Sequence, residues 1–234
     1  MFSVTAFYWG NEENLRRYVD HAKQYTDDIV VGFINLFGSV PQIEGLNIVE
    51  FDHKYLLEYG HSELMNIVDS HCRYDWTFHL AVGKRISNFS PQMLYNVPDN
   101  IAGYGSTEFG NSIDSWSNFH NKKRSSWFKT VHEVILPKPG YLLDMTPIIE
   151  WARVGQEGGY SHENQYYWNN EEEKRVCGNY RQISRLKWVA LENHAPHRLQ
   201  EEAKKFLAEN YWVYNLGREE LYNYLSNQEI NAGM

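Results

Sequence analysis

The sequence predicts an α/β domain built on a parallel sheet flanked by helices. Strand-like and helix-like stretches alternate through about the first 85 residues in the order strand, helix, strand, strand, helix, strand, which is typical of a doubly wound parallel sheet. The strand-like stretches are short apolar runs, as expected of strands buried on both faces. With 234 residues, the chain is long enough for one such domain and a small appendage.

Hydrophobic periodicity places the elements of the first half. Apolar residues recur at helical spacing from Leu15 to Ala22, behind the N-cap residue Asn11 and with Glu12 in the first turn, where the helix dipole favours anions. A second helix begins near His61 and ends before Arg73. Strands are predicted at 2–9, 28–34, 47–51 and 76–82.

The second half gives weaker signals. It predicts a short helix at 92–95, a strand at 101–104, a loop at 105–120, a strand at 130–136 and a turn at 137–140, while 142–151 fits no pattern. Further helices are predicted at 161–191, 196–208 and 218–225. We therefore expect a main domain over 1–190 and a helical C-terminal extension over 191–234 that packs on it.

Composition narrows the classes of function. A net charge of −8 disfavours generic binding to nucleic acid or anionic membranes. Cys72 and Cys177 lie far apart without metal-ligand spacing, which favours a reducing compartment and no disulfide. The N-terminus lacks the basic region of a signal peptide, and no apolar run is long enough to span a membrane. We expect a cytoplasmic protein.

Aromatic residues make up 15% of the chain. They indicate either a core rich in aromatic rings or a cleft that stacks sugars or bases, and both interpretations stay open.

The stretch at the end of the fourth predicted strand stands where ligands bind in open α/β sheets, at the carboxyl ends of the strands. It reads Ala81-Val82-Gly83-Lys84-Arg85, with two cations and no carboxylate. These cations are either an ordinary solvated strand end or ligands for an anion.

The order and spacing of the elements over about residues 2–185 resemble the family 2 glycosyltransferases of the GT-A fold. The similar positions are Asn11-Glu12-Glu13 after the first strand, Asp28-Ile-Val-Val31 in the second, Asp75-Trp76 before the fourth, and Val131-His132-Glu133. The resemblance implies a GT-A-like fold, with a mixed, mostly parallel sheet flanked by helices. It implies a nucleotide-sugar donor bound by Ala6, Phe7, Asn11 and Glu12. It also implies inverting transfer to a carbohydrate or other hydroxyl acceptor.

The positions that handle a metal in the family differ here. In register, the two aspartates of the family's DxD motif fall on Ala81 and Gly83, and the acid that follows falls on Lys84. The second strand ends in an Asp in the family but runs through Gly32 to Asn35 here. Divalent cations such as Mg²⁺ need oxygen ligands, so we expect no metal at the DxD position and no cofactor besides the donor.

Fixed cations can replace a metal ion electrostatically when a diphosphate departs. Lys84 and Arg85 are the first candidates, and an arginine can clamp phosphate oxygens bidentately. Lys122 and Arg124, in a basic stretch with interleaved aromatics, are a second phosphate candidate or a solvated face.

A general base for the acceptor hydroxyl should be a carboxylate or a histidine. Asp114 and Glu133 are the two candidates, and Trp116 and His132 are expected on the acceptor side. The structural alternatives are that Asp114 caps its loop and that His132 and Glu133 form a hydrogen-bonded pair beneath it.

Three functional hypotheses follow. The first is a metal-independent, inverting glycosyltransferase. The second is a catalytically inactive GT-A-like module that binds sugars, nucleotides or a protein partner. The third is a glycosyltransferase whose acceptor is a hydroxylated base in DNA, bound through the basic stretch at 122–129.

Overall fold

The protein is described by a computed structural model over residues 1–8, 12–35, 39–52, 55–56, 59–109, 115–128 and 133–153, together with Glu201 and Lys205. Within these residues it is an α/β protein with an eight-stranded mixed sheet and a two-stranded hairpin. The helices are α1 (Glu12–Ala22), α2 (His61–Ser70) and a 3-10 helix (Pro91–Leu94). The strands are β1 (Ser3–Tyr8), β2 (Ile29–Asn35), β3 (Asn47–Asp52), β4 (Trp76–His79), β5 (Lys84–Phe89), β6 (Ile101–Glu108), β7 (Ser115–Asn121), β8 (Ser125–Phe128), β9 (Val134–Pro137) and β10 (Leu142–Arg153).

The large sheet has the strand order β3-β2-β1-β4-β7-β6-β10-β5. The first four strands in this order are parallel, as the sequence predicts. Strands β5 and β7 run against the other six. The sheet is therefore mixed and mostly parallel.

The two helices pack on opposite faces of the parallel half. Val4 and Ala6 of β1 are buried in one cluster with Leu15 of α1. Successive side chains of a strand alternate between faces, so Phe7 lies on the other face, against α2. At Gly32 of β2, a Cβ atom would lie 2.7 Å from Cδ1 of Phe7 and 2.8 Å from Cγ2 of Val68. Glycine is therefore required where the Phe7 ring crosses β2.

The second half is more extended than the sequence predicts. The loop predicted at 105–120 is wrong, because β6 continues to Glu108 and β7 pairs antiparallel with it. The unassigned stretch 142–151 lies in the long strand β10, whose register shifts on both sides of Pro147. The turn predicted at 137–140 is confirmed by a hydrogen bond from Tyr141 N to Lys138 O of 3.0 Å.

Two strands differ from the prediction around residue 80. Strand β4 ends at His79 rather than at residue 82, although Leu80 N still donates to Thr5 O at 2.9 Å. The chain then turns at Gly83, whose φ of 116° favours glycine. Strand β5, which the sequence pattern does not indicate, follows this turn.

Helix α1 covers the outer side of β5, the last strand of the sheet. Ile86 N donates to His21 Nε2 at 2.9 Å, and Tyr25 Oη donates to Ile86 O at 3.1 Å. The rings of Phe2 and Phe89 also meet, with centroids 5.0 Å apart. The sheet thus curls until β5 meets α1, and side chains satisfy backbone groups that an edge strand would leave open.

The predicted helices at 161–191 and 218–225, and the domain division at 190, lie outside the described residues. In the predicted helix at 196–208, the described residues Glu201 and Lys205 are helical and exposed. No helix among the described residues is long and apolar enough to cross a membrane. Cys72 is buried with a free thiol, and burial raises its pKa to about 12.

Candidate functional site

The site lies at the carboxyl edge of the parallel strands, where the strand order changes direction. From β1 the chain proceeds outward to β2 and β3, then returns to place β4 on the other side of β1. Chain segments that leave neighbouring strands in opposite directions open a crevice between them, and ligands of open α/β sheets bind there. The candidate site is therefore the crevice outside the ends of β1 and β4.

Four side chains converge on this crevice. A Glu133 Oε1 atom lies 3.5 Å from Nδ1 of His61, which begins α2. The Phe7 ring stands between two imidazoles, with centroid distances of 6.3 Å to His61 and 5.9 Å to His79. The side chains of His61 and Glu133 are 14% and 24% exposed, so both remain accessible to a ligand while being held by the protein.

His79 forms the floor of the crevice beneath Phe7. Its Nδ1 atom lies 3.4 Å from Thr5 Oγ1, and its ring meets the edge of Trp127 at 5.7 Å. Burial lowers the pKa of His79 to about 4, and the positive charge of Lys84 acts in the same direction. Burial and the nearby cation thus both keep the imidazole neutral at physiological pH.

Lys84 stands at the start of β5, on this same edge. Its Nζ atom lies 3.5 Å from the centroid of the buried Trp151 ring, which is a cation–π contact. Arg85 follows directly along the strand, so its side chain leaves the opposite face. The two cations proposed to bind one diphosphate are thus on opposite sides of β5.

The predicted donor-side residues divide between the two faces of β1. Ala6 is fully buried against α1, and Phe7 lies in the crevice. Glu12 is in the first turn of α1 and forms an ion pair with Arg16. Only Phe7 of these three meets the other side chains of the site.

Over its described residues, 122–128, the basic stretch does not present one continuous positive face. Lys122 Nζ donates to Asp69 O at 3.0 Å and to Cys72 O, at the end of α2. Lys123 Nζ donates to Asp75 Oδ2 at 2.9 Å, and Arg124 donates to Ile101 O at 2.8 Å. The structure thus gives all three cations partners within the protein.

Three predicted site residues lie outside the described residues: Asn11, Asp114 and His132. Trp116 is part of strand β7, not of the loop predicted there. Glu133 is described and lies directly before β9.

A buried polar network fixes the hairpin that carries Glu133. Asp69 Oδ2 of α2 accepts a hydrogen bond from Trp127 Nε1 at 2.9 Å and lies 2.9 Å from His120 Nε2. His120 Nδ1 lies 2.9 Å from Ser125 Oγ, whose hydroxyl contacts Asn121 O at 3.0 Å. Although these are the residue types of a hydrolase triad, the serine, histidine and aspartate are almost fully buried, and the network joins α2 to β7 and β8.

Sequence reasoning misses two residues of the crevice, His61 and His79. His61 gives no signal beyond its place at the start of a helix. His79 does give one, because it is a titratable residue in an otherwise apolar strand.

The residues at the DxD positions do not fit a divalent cation. Ala81 and Gly83 supply no side-chain oxygen, and Lys84 supplies an ammonium group. Elsewhere in the described part of the chain, no group of three or more His, Cys, Asp or Glu side chains is placed to hold a metal ion.

Comparison with known proteins adds no identification, because no family model and no curated protein matches the sequence.

Proposed function

We propose that the protein is a glycosyltransferase that moves a sugar from a nucleotide-sugar donor to an acceptor hydroxyl, with inversion and without a metal bound at the DxD position. The observation that best supports this proposal is the Glu133 carboxylate held beside His61 at the carboxyl edge of the sheet. A partly accessible carboxylate in a crevice is the group that an inverting transfer needs as its base. Lys84, at the same edge, supplies the positive charge.

The proposed reaction is a single displacement. The acceptor oxygen attacks the anomeric carbon of the donor while Glu133 takes the hydroxyl proton. The bond from the anomeric carbon to the diphosphate oxygen breaks as the new bond forms, and the nucleoside diphosphate leaves with the electron pair. Lys84 stabilises the negative charge that develops on the diphosphate, and His61 positions the Glu133 carboxylate.

The substitution Glu133→Gln tests the proposed base. We expect kcat to fall by about 10²–10⁴-fold, the usual contribution of general base catalysis, with donor affinity unchanged. Glu63→Gln is the matched control, since Glu63 is an exposed carboxylate in the first turn of α2. An unchanged kcat in Glu133→Gln would remove Glu133 from this role and leave Asp114 as the candidate.

Measurements of ligand binding and of nucleoside diphosphate release separate the other two hypotheses from the first. A binding module without activity would bind nucleotide sugars, and its melting temperature would rise with them, but it would release no nucleoside diphosphate. An enzyme that acts on DNA would bind DNA at low salt and lose that binding in the Lys122/Lys123/Arg124 triple alanine variant. All three cations have hydrogen-bond partners within the protein, which makes DNA binding less favoured than the first hypothesis.

A further inference from the structure

Two tyrosine rings pack against each other, in a tilted arrangement, at the surface between β3 and α2. The centroids of Tyr55 and Tyr59 are 4.4 Å apart, with 38° between the ring planes. Both residues are helical and lie four positions apart, a spacing at which helical side chains are neighbours. Tyr59 is 43% exposed, so the pair presents an aromatic surface to solvent.

The protein holds this pair firmly. Leu56, in the same turn, is fully buried, and Gly60 N donates to Leu56 O at 3.0 Å. The Tyr55 ring also packs on Phe51 at the end of β3, with centroids 5.4 Å apart. A rigid aromatic surface loses little conformational entropy when a ligand binds to it.

The tyrosine pair is continuous with the candidate site. Phe51 meets Phe7 at a centroid distance of 6.3 Å, and Phe7 contacts both histidines of the crevice. A line of aromatic rings therefore leads from the reactive centre along the carboxyl ends of β1 and β3 to the surface.

The position of this line indicates its ligand. In doubly wound sheets the nucleotide lies across the carboxyl ends of the first strands, with its ribose near the end of the second. The base therefore lies on the side of β2 and β3. Lys84 begins β5, the strand that follows β4, and Glu133 directly precedes β9, which packs beside β7. We therefore place the diphosphate and the sugar toward β4 and β7, away from β3.

We infer that Tyr55 and Tyr59 form the platform on which the nucleobase of the donor stacks. This inference rests on the proposed function, because it assigns the base end of the same nucleotide-sugar site. Stacking on an aromatic ring tolerates any base, since every base has a π-face. The platform alone therefore discriminates weakly between purines and pyrimidines.

Titration calorimetry with UMP, AMP and ribose 5-phosphate tests the inference. We expect both nucleotides to bind the wild-type protein at least about tenfold more tightly than ribose 5-phosphate, as base stacking on an aromatic side chain allows. Tyr59→Ala should remove this advantage and leave ribose 5-phosphate binding unchanged, while Tyr59→Phe should retain it. Tyr95→Ala is the matched control, because Tyr95 is 78% exposed and follows the opposite end of β5.

The outcomes distinguish this inference from the proposed function. Unchanged nucleotide affinity in Tyr59→Ala, with sugar transfer intact, would overturn the platform alone. If Tyr59→Ala lost binding to free monosaccharides but kept its affinity for nucleotides, the platform would also be overturned, since the tyrosines would then hold a sugar. A wild-type protein that binds neither nucleotides nor nucleotide sugars would overturn both.

Discussion

The surroundings of His79 make the stability of the protein depend on pH. The Phe7 and Trp127 rings pack against the imidazole. Burial lowers its pKa from 6.5 to about 4, with Lys84 and His120 acting in the same direction and Asp69 against them. Between these two pKa values the unfolded chain binds more protons than the folded protein. The stability that His79 contributes is therefore fully present above pH 6.5 and is lost as the pH falls toward 4.

We expect the wild-type protein to lose about 2 kcal/mol more of its free energy of unfolding between pH 7 and pH 4.5 than the variant His79→Gln. Urea unfolding of both proteins at several pH values measures this difference, and the titration of the other histidines cancels in the comparison. Equal pH dependence of the two proteins would show that His79 is not held neutral by the fold.

At the scale of elements, the contact between α2 and the β8–β9 hairpin determines where Glu133 lies. The Asn66 side chain pairs with both backbone groups of Trp127, accepting from its N–H at 2.9 Å and donating to its carbonyl at 3.1 Å. Trp127 also donates to Asp69 through its indole N–H. Helix α2 is thus joined to β8 by the hydrogen bonds of the Asn66 side chain. Strand β9 is held in turn by its pairing with β8.

The substitution Asn66→Ala should loosen this hairpin. It removes two hydrogen bonds and leaves the Trp127 backbone groups without their partners, which we expect to destabilise the protein by about 2 kcal/mol. Amide hydrogen exchange should become faster in β8 and β9. Ser70→Ala is the control, because the contacts of the Ser70 hydroxyl are local to the end of α2, to Ile67 O at 2.6 Å and to His71 Nδ1 at 3.3 Å. Unchanged exchange in the hairpin would contradict the role given to Asn66.

At the scale of the whole molecule, the sequence predicts the parallel half well because its signals are local. Strand β2 is buried along its whole length, and the apolar run at 28–34 reflects this directly. Helix α1 buries the residues that recur at helical spacing. Each element of this half can be recognised without knowing its neighbours.

The other half of the sheet, formed by β5, β6, β7 and β10, could not be predicted in the same way, because its burial depends on distant partners. His120 and Asn121 are buried in β7. Polar residues at these positions do not indicate a buried strand in the sequence, because their burial depends on partners elsewhere in the chain, such as Asp69 and Ser125 for His120. Strand β5 has the polar composition of a solvated segment, but α1 covers its edge.

The candidate site could be predicted only in part, because some of its residues give local signals and others do not. Glu133 and Lys84 follow from their positions relative to strands and from a family resemblance. His61, His79 and the tyrosine pair come to the site through tertiary packing, which no short motif indicates.

The proposed activity is sugar transfer without a metal at the DxD position. It can be measured by ³¹P NMR of a panel of nucleotide sugars at millimolar concentration, mixed with the protein and hydroxyl acceptors in excess EDTA. We expect one donor to release its nucleoside diphosphate faster with the protein than without it, and to raise the melting temperature of the protein. Release that begins only after Mn²⁺ is added, or no release and no melting shift with any donor, would contradict the proposal.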